Sequence, residues 1–561
     1  MSELLRHPGL LLIAGALVLP WLRGTARGGA VIVLPLAALV LVWGLPDGAL
    51  AQVRFLDYTL TPLEGGRLGR LFATIFALMA FGGGLFALRQ PSRVEVPAAF
   101  VYAGSAIGVA LAGDLVTVFV FWELMAVGST LVLWSHGTRP SWHASQRYLM
   151  IHLLGGMLVF AGVTGHIAQT GSVAFVAMKA DSAAHWLLLA GFLLNAGAPP
   201  LSAWLPDAYP EASWSGMVFL SAFTTKTAVY VLLRGFPGTE LLVWIGFFMV
   251  FYGIVYALLE NDMRRILAYS IVNQVGFMLV GIGIGTEMAL NGAAAHAFTH
   301  IIYKALLLMS AGSVLLMTGR RKCSELGGLY RSMPLTTICG SIGALAISAF
   351  PLTSGFVSKS MVTQAATDQG MMTAWLLLTA ASAGVFLHAG IKFPWFVFFQ
   401  KDSGLRPADP PSSMRWAMIL FAFLCIALGV WPDPLYRLLP YPVDYVPYTA
   451  PHVVTQTQLL LFSGLAFFLL LPLLKRTPTI TLDVDWIYRR PLTWAVRAVG
   501  RSLALVREAA AGAAMATFDR VRGGVRGYVM RHGGLAQTSP IGSMALWVLV
   551  LLLAYLVLYY V

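Results

Sequence analysis

Charged residues are scarce in this chain. Only 11% of its 561 residues are Asp, Glu, Lys or Arg, whereas 58% are hydrophobic, and the mean hydropathy is +0.77. Soluble domains carry roughly 25% charged residues, so this composition excludes an ordinary soluble protein and predicts a membrane protein. The formal net charge of +13 does not indicate a nucleic-acid partner, because the basic residues follow the pattern of membrane loops.

Cysteine and the usual cofactor motifs are also scarce. The three cysteines, Cys323, Cys339 and Cys425, stand far apart without a C-x-x-C pair, which argues against iron–sulfur ligation and a disulfide framework. The eleven histidines include no H-E-x-x-H spacing, and there is no P-loop or credible dinucleotide fingerprint. We therefore expect no cofactor, no metal centre and no enzyme activity of the chain by itself, although it can belong to a redox-driven translocase.

Long apolar runs, in contrast, are abundant. A bilayer core of about 30 Å requires about 20 apolar residues per helix, and sixteen runs approach this length. We number them as spans one to sixteen; they cover residues 8–23, 30–46, 68–88, 96–112, 114–134, 145–168, 185–205, 212–235, 240–259, 264–284, 289–318, 336–366, 373–399, 413–431, 456–474 and 541–561. The sequence therefore predicts an all-α polytopic membrane protein with about sixteen transmembrane helices, the first of them retained and not removed as a signal peptide.

Basic residues concentrate in alternate loops. Those that follow odd-numbered spans are Arg23, Arg27, Arg89, Arg93, Arg139, Arg147, Arg264, Arg265, Arg320, Arg321, Lys322, Arg331, Lys401, Arg406 and Arg415. Those that follow even-numbered spans are chiefly Arg54, Arg67, Arg70, Lys179 and Arg437. The positive-inside rule then predicts that the odd loops are cytoplasmic and that both termini lie outside.

Ionisable residues inside the spans are few. An isolated charge at a helix centre costs about 2.5–3.5 kcal/mol on insertion scales, so such residues are usually functional. They are Glu123 in span five, His152 and His166 in span six, Lys226 in span eight, His296, His300 and Lys304 in span eleven, Lys359 in span twelve, and His388 and Lys392 in span thirteen. We interpret His166 as structural.

The spacing in span eleven predicts a proton pathway. His296, His300 and Lys304 stand at positions i, i+4 and i+8, so they share an arc of about 80° over about 12 Å of helix. Histidine and lysine can load and release protons as their surroundings change. Glu123 is the acid well inside a span of the first half, and Lys226 is its expected counter-ion; the alternative is a static salt bridge that serves helix packing.

Two spans carry proline and glycine at mid-membrane depth. Span seven reads "LLLAGFLLNAGAPPLSAWLPDA" and span twelve reads "ICGSIGALAISAFPLTSGFVSKSMV". Proline removes a helical hydrogen bond and clashes with the preceding turn, so both helices should break there. Paired broken helices indicate inverted repeats around a midplane ion path. Five spans separate the two breaks, so we expect one repeat in spans four to eight and the other in spans nine to thirteen.

Six segments together resemble a known family. "FVFWELMAVGS", "PLSAWLPDAYPEAS", "LSAFTTKTAVY", "NDMRRILAYSIVNQVGFML", "HAFTHIIYKALLLMSAGSV" and "FPLTSGFVSKSMV" resemble, in order and spacing, the antiporter-like membrane subunits of respiratory complex I and of Mrp-type Na⁺/H⁺ antiporters. The resemblance covers residues 95–400. "DAYPEAS" with "FLSAFTTKTAVY" is most similar to the D subunit of the Mrp-type antiporters and its relatives in membrane-bound hydrogenases.

The resemblance implies a fourteen-helix core with inverted five-helix repeats and assigns residue roles. It implies that Glu123 is the glutamate of span five and Lys226 the lysine of span eight. The His, His, Lys face of span eleven and the terminal lysine of span twelve correspond to His296, His300, Lys304 and Lys359. Many members also carry a lysine in broken span seven, where this chain has Asn195. Asn195 cannot carry a proton charge, so Glu123 must couple to Lys226 directly or through water.

These patterns divide the chain into six regions. We predict scaffold helices in 1–95, the first repeat in 96–237, the second repeat in 238–400, two further spans in 401–474, a basic amphipathic segment on the cytoplasmic side in 475–540, and a terminal anchor in 541–561. A solvated basic linker is the alternative for 475–540, because Gly523, Gly524 and Gly527 weaken a helix. The layout of this tail is similar to the end of the distal antiporter-like subunit of complex I.

The sequence as a whole predicts a subunit of a hetero-oligomeric Na⁺/H⁺ antiporter in a bacterial or archaeal cytoplasmic membrane. Its expected partners are other membrane subunits, lipid, protons and Na⁺, and no nucleic acid. Two alternatives use the same buried charges: a proton-pumping subunit of a redox complex such as a hydrogenase, and a subunit of an ion-coupled uptake complex for inorganic carbon. The secondary candidates for the relay are Asn195, His152, His388 and Lys392.

Overall fold

The computed structural model describes residues 3–473, 482–529 and 541–560, and these are mostly helical. The helices are α1 (Pro8–Val18), α2 (Gly24–Gly44), α3 (Arg67–Phe86), α4 (Glu95–Ala110), α5 (Leu115–Trp134), α6 (Arg139–Thr170), α7 (Ala183–Ala196), α8 (Trp204–Ala208), α9 (Gly216–Leu220), α10 (Thr224–Gly235), α11 (Leu241–Leu259), α12 (Met263–Ile284), α13 (Glu287–Thr318), α14 (Pro334–Ile347), α15 (Ser354–Asp368), α16 (Met372–Val385), α17 (Ser412–Val430), α18 (Asp433–Tyr436), α19 (Ala450–Leu469), α20 (Asp485–Arg489), α21 (Pro491–Val529) and α22 (Ile541–Tyr560). Short 3-10 turns occupy Glu3–Arg6, Leu19–Trp21, Tyr209–Glu211, Cys323–Glu325 and Leu329–Arg331.

The apolar helices coincide with the predicted runs. Within the described residues, 12 helices are long and apolar enough to cross a membrane, and four shorter apolar helices, Pro8–Trp21, Glu95–Ala110, Ala183–Ala196 and Pro334–Ile347, accompany them. Each of the sixteen predicted runs overlaps one of these helices. The chain is therefore an all-α polytopic membrane protein with about twelve candidate spans; the sixteen crossings and the fourteen-helix core with inverted repeats stay predictions.

A small β-hairpin in the loop after α2 is missing from the prediction. Strand β1 (Gly48–Phe55) pairs antiparallel with β2 (Tyr58–Gly65). The Asp114 carboxylate, at the start of α5, accepts a hydrogen bond from the Thr61 amide at 2.7 Å. Arg234, near the end of α10, forms an ion pair with Glu64 at 2.7 Å. The hairpin thus links the ends of two helices that are far apart in the sequence.

Spans seven and twelve are interrupted as predicted. Residues 197–203, which include Pro199 and Pro200, separate α7 from α8, and residues 348–353, which include Pro351, separate α14 from α15. Two further irregularities are absent from the prediction. Span eight breaks between α9 and α10 without a proline, and α16 continues into π-helical turns at Phe386–Lys392 and Trp395–Phe399. π-Helical turns often occur at functional sites.

The interior of the protein is built around three helices. Almost every side chain of α10 and α12 is buried, and α13 is buried continuously from Ala289 to Val314. α12 packs between α11 and α13, and α13 also packs against α15. The ionisable residues of spans eight, eleven and twelve therefore lie in one packed interior.

Loops that the chain order assigns to the same side do meet. Arg321, after span eleven, pairs with Asp262, after span nine, at 2.8 Å and with Glu211, after span seven, at 3.1 Å. On the opposite side, Asp114 contacts the hairpin, as described above. We call these two ends of the protein the odd-loop face and the even-loop face. The assignment of the odd-loop face to the cytoplasm stays a prediction.

The described residues form two compact units, Met1–Asp485 and Trp486–Val561. The second unit contains most of α20 together with α21 and α22. α21 is 39 residues long, and its described side chains are mostly exposed, with arginines interspersed among apolar residues. The predicted amphipathic segment is thus helical over this part, whereas residues 474–481 and 530–540 lie outside the described residues.

Candidate functional site

The candidate site is centred on the row of three titratable residues on α13. His296, His300 and Lys304 are all completely buried. The rings of His296 and His300 stand with their centroids 6.1 Å apart, as expected for residues one helical turn apart. We call these three residues the α13 row.

His296 is fixed by hydrogen bonds to two neighbouring helices. Its Nε2 lies 3.0 Å from Gln274 Oε1 on α12, and its Nδ1 lies 3.2 Å from Ser358 Oγ on α15. The Tyr303 hydroxyl also donates to Gln274 Oε1 at 3.1 Å. Sequence reasoning missed Gln274, Ser358 and Tyr303, because uncharged polar residues are common in membrane helices. The two adjacent polar residues "NQ" in span ten were the available signal for Gln274.

His300 is buried without a hydrogen-bond partner. Neither of its ring nitrogens has one among the described residues, and its ring packs edge-on against Tyr303, with centroids 5.2 Å apart. Lys226, Lys304 and Lys359 all lie within electrostatic range of the ring. Because buried polar atoms are normally satisfied by protein or by water, His300 is a position where water can join the surrounding lysines.

Two buried lysines bind carbonyl groups at broken helices. Lys226 Nζ, just after the break in span eight, donates to Ser221 O at 2.7 Å. Lys359 Nζ, just after the break in span twelve, donates to Ile347 O at 2.7 Å. The C-terminal end of a helix carries a partial negative charge and free carbonyl groups. Each break therefore provides a neutral acceptor that stabilises a cation without a carboxylate.

The remaining two lysines are also bound by uncharged acceptors. Lys304 Nζ donates to Ser270 Oγ at 2.9 Å, on α12. Lys392, in the π-helical turn, donates to the carbonyl oxygens at the C-terminal end of α11, namely Ala257 O at 3.1 Å, Leu258 O and Glu260 O at 2.6 Å. All four lysines that are buried within the described residues are thus hydrogen-bonded.

The expected direct pairing of Glu123 with Lys226 is wrong for this conformation. Among the described residues Glu123 forms no ion pair, and its Oε1 has no hydrogen-bond partner. Lys226 is bound instead by the carbonyl group that the break in span eight exposes. Glu123 faces Gly156 on α6, where an added Cβ would overlap Oε1, and the adjacent Gly155 faces Asn195 Oδ1, 3.2 Å from where its own Cβ would lie.

Hydroxyl groups fill the region between α4, α5, α6 and α10. The Tyr148 hydroxyl donates to Ser129 Oγ at 3.0 Å and lies 3.3 Å from Thr224 Oγ1. The Tyr102 hydroxyl also bonds Thr224 Oγ1 and accepts from the Thr224 amide at 2.8 Å. Thr224 is two residues before Lys226. This hydroxyl cluster, which sequence reasoning missed, links Ser129 of α5 through Tyr148 to Thr224.

The histidine candidates have different surroundings. His152 Nδ1 bonds Tyr148 O at 2.9 Å, and the two rings stack with centroids 3.8 Å apart. His388 Nδ1 bonds Gly384 O at 2.8 Å, and the ring lies within electrostatic range of three of the buried lysines. His166 Nδ1 lies 3.0 Å from His185 Nε2, near the even-loop face. His152 thus adjoins the hydroxyl cluster. His388 instead lies near Lys304, Lys359 and Lys392.

Two adjoining cavities lie between Lys359 and the even-loop face. An outer cavity of about 720 Å³ is lined in part by Asp368, Asp444 and His452. A narrower cavity of about 90 Å³, which shares Trp375, His452 and Thr455 with the outer one, is lined by Lys359. Water can therefore approach the terminal lysine from this side.

A set of ion pairs fixes the odd-loop face. Arg147 on α6 contacts the buried Asp207 of α8 with two nitrogens, at 2.7 and 2.8 Å. Arg265 pairs with Glu260 at 3.0 Å. The contact between Arg147 and Asp207 holds the connection after broken span seven, whose "PLSAWLPDAYPEAS" segment the resemblance had singled out. Within the described ranges, no group of three or more His, Cys, Asp or Glu residues is arranged to bind a metal ion.

The fold and the buried row define a polytopic helical membrane protein with titratable groups near the middle of its helices. Comparisons with known proteins agree. Residues 112–385 match the family described as NADH:quinone oxidoreductase/Mrp antiporter, transmembrane. The chain is 27% identical over 407 residues to the D subunit of a Na⁺/H⁺ antiporter from Alkalihalophilus pseudofirmus, covering 65% of this chain and 80% of that protein.

Other relatives come from both branches of this family. The chain is 29% identical over 357 residues to the A/B subunit of a probable K⁺/H⁺ antiporter from Rhizobium meliloti, which covers 59% of this chain but only 36% of that protein. It is 28% identical over 366 residues to the M subunit of the NADH-quinone oxidoreductase of Pseudomonas aeruginosa, covering 59% of this chain and 70% of that protein.

The fold is also found in a solved assembly. A chain in the structure of the Mrp complex from Dietzia sp. DQ12-45-1b superposes with a TM-score of 0.73 at 23% identity, over 100% of this chain and 63% of that chain. Residues 112–385 of the chain therefore belong to the family of antiporter-like membrane subunits shared by complex I and Mrp antiporters.

Proposed function

We propose that this chain is a proton-translocating subunit of an Mrp-type monovalent cation/proton antiporter, in the cytoplasmic membrane of a prokaryote. The observation that carries the proposal is the α13 row with Lys226 and Lys359 in electrostatic range of His300. Several like charges in one low-dielectric interior repel strongly, so not all of these groups hold protons together. A proton that binds to one lysine therefore favours the release of a proton from another lysine.

The proposed path runs from Lys226 through His300 and Lys304 to Lys359. At the two breaks, Lys226 and Lys359 donate hydrogen bonds to carbonyl groups at helix ends. Each lysine therefore has a neutral partner when it is protonated. Water at the unpartnered His300 supplies the connection between them. The cavity beside Lys359 supports exchange with the even-loop face.

We assign Glu123 an indirect role. Its carboxylate does not touch Lys226, so it acts on that lysine through the hydroxyl cluster and water, or by pairing with it in another conformation. Asn195, across α6 from Glu123, is uncharged and cannot replace Lys226 as a partner. His152, His388 and Lys392 are proposed to tune the path from its margins.

The proposal is tested by proton transport in vesicles that contain the complete complex, followed with a pH-sensitive dye. Glu123→Gln and Lys226→Ala are each expected to lower transport by about 100-fold, the scale of losing one positioned proton-transfer group. Lys401→Ala, which changes an exposed lysine, is the matched control and should transport normally. Normal transport by Lys226→Ala in a correctly assembled complex would refute the proposal.

A second candidate function is a proton-pumping subunit of a redox complex. The family description includes NADH:quinone oxidoreductase, and the likeness to an M subunit of that enzyme supports this reading. Uptake of inorganic carbon coupled to ion flux is a further alternative. Purifying the native complex and identifying its subunits separates them: small antiporter subunits favour the first function, and subunits that bind iron–sulfur clusters favour the second.

A further inference from the structure

A further buried carboxyl group lies at the odd-loop face, outside the path described above. Glu95, the first residue of α4, is completely buried. Its Oε1 accepts hydrogen bonds from Gln90 Nε2 at 3.0 Å and from Ser215 Oγ. Its Oε2 accepts from Ser213 Oγ at 2.7 Å and from Ser135 Oγ at 3.4 Å. Four uncharged donors therefore surround one carboxyl group.

Glu95 has no cationic partner among the described residues, since no lysine, arginine or histidine nitrogen lies within 4.0 Å of its carboxylate. The charged group that faces it is Arg264 on α12, in electrostatic range. The Arg264 guanidinium donates to Ala212 O at 2.8 Å and to Ser213 O at 2.7 Å. A buried carboxylate without a paired charge is costly to keep ionised, and hydroxyl neighbours can bond either protonation state.

Polar groups lead from Glu95 towards Lys226. Tyr102 lies seven positions after Glu95 on α4, which places it two turns along the same face, about 10 Å deeper. The Tyr102 hydroxyl bonds Thr224, two residues before Lys226. The short helix α9 makes a second connection, because Ser215 precedes it at the Glu95 end and Ser221, at its other end, accepts the hydrogen bond from Lys226.

Only one layer of side chains separates Glu95 from the odd-loop face. Ser135 is partly exposed, and the neighbouring His136 is exposed. His136 Nδ1 contacts Glu211 O at 2.8 Å in the adjacent loop. Gln90, which covers the other side of the carboxyl group, is itself 8% exposed. A small rearrangement of Ser135 or Gln90 therefore admits water to the carboxyl group.

We propose that Glu95 is the proton-loading residue of the odd-loop face. The Glu95 carboxylate takes a proton from a hydronium ion of the aqueous phase at this face and becomes a carboxylic acid, while the hydronium becomes water. The acid then gives its proton, through water beside Tyr102 and Thr224, to the neutral amine of Lys226, which becomes an ammonium group while the carboxylate is restored. This inference rests on the proposed function, because it supplies the protons that Lys226 passes on.

The test compares three substitutions of Glu95 in vesicles with the complete complex. Glu95→Gln keeps the size and hydrogen bonding of the side chain but cannot take up a proton, so transport should fall by about 100-fold. Glu95→Asp should retain transport with a shifted pH profile. Glu95→Ala should be inactive and regain transport when formate, a small carboxylic acid, is added.

A spectroscopic measurement separates a proton-carrying role from a structural one. Infrared titration of the complex should show a carboxylic-acid band that is lost in Glu95→Gln. The double variant Ser213→Ala/Ser215→Ala is the structural control; it should weaken assembly more than Glu95→Gln does. Normal transport by Glu95→Gln, or no rescue of Glu95→Ala by formate, would overturn the inference.

The result with Lys226→Ala shows which proposal fails. If Lys226→Ala is inactive and Glu95→Gln transports normally, the Glu95 inference is wrong and the proposed function stands. If Lys226→Ala transports normally, the proposed function itself is wrong.

Discussion

At the scale of single residues, the buried lysines Lys226, Lys304, Lys359 and Lys392 are held by neutral groups. Lys226, Lys359 and Lys392 donate to backbone carbonyl oxygens, and Lys304 donates to a serine hydroxyl. A carboxylate partner would bind the ammonium group more strongly and hold its proton. Carbonyl and hydroxyl partners stabilise the charged form less, which suits groups that must release protons.

The two histidines of the α13 row should respond differently to substitution. His300→Leu removes no hydrogen bond, so the stability of the protein should change by no more than about 1 kcal/mol. His296→Leu removes two buried hydrogen bonds, to Gln274 Oε1 and Ser358 Oγ, so stability should fall by about 1–3 kcal/mol. Both variants should lose proton transport. Thermal unfolding of the solubilised complex, measured beside vesicle transport, checks this, and equal unfolding temperatures for the two variants would contradict it.

At the scale of secondary-structure elements, broken helices place the functional groups. The breaks in spans eight and twelve expose the carbonyl groups that bind Lys226 and Lys359. Glycines on α6 permit a close approach of α5 on one side and α7 on the other, so that Glu123 and Asn195 lie on either side of the Gly155–Gly156 pair. The geometry of the site is thus a property of helix ends and helix contacts.

The close approach at α6 leads to a specific prediction. In Gly156→Ala the new Cβ would overlap Glu123 Oε1, so the carboxylate must move and transport should fall towards that of Glu123→Gln. Overpacking of this kind costs about 1–3 kcal/mol. Adding Glu123→Asp, which shortens the acid by one methylene, should restore part of the transport.

The control for this prediction is Gly44→Ala in α2, where an added Cβ meets no atom within 4 Å. This variant should transport normally. Full activity in Gly156→Ala would show that the position of the Glu123 carboxylate does not matter.

At the scale of the whole molecule, the titratable groups link two faces. Glu95 lies at the odd-loop face, the α13 row lies in the interior, and the cavity beside Lys359 opens to the even-loop face. The second half of this route is more open than the first, because the cavity reaches Lys359 while Glu95 is covered by side chains. Exchange with the odd-loop face therefore requires a local rearrangement.

Much of the fold could be predicted from the sequence, because apolar length and proline position follow from elementary constraints of the bilayer. The sixteen apolar helices and the breaks of spans seven and twelve are examples. The break of span eight could not be predicted, since no proline marks it. The hairpin after α2 could not be predicted from apolar length, because that criterion identifies membrane helices and not strands in a loop.

For the candidate site, the sequence could predict which residues share a helix face but not which groups they contact. Helical spacing alone assigned His296, His300 and Lys304 to one face. Glu123 does not pair directly with Lys226 in this conformation, because the break in span eight, which the sequence does not mark, gives Lys226 a carbonyl partner. Glu95 was missed because it stands one residue before the predicted fourth span and reads as a solvated helix end.

The central claim is that protons pass along the α13 row, and Lys304→Ala tests it most directly. Removing this amine should lower proton flux in vesicles by about 100-fold, with assembly of the complex unchanged and with Lys401→Ala transporting normally. Proton flux equal to that of the unmodified protein in a fully assembled Lys304→Ala complex would contradict the account.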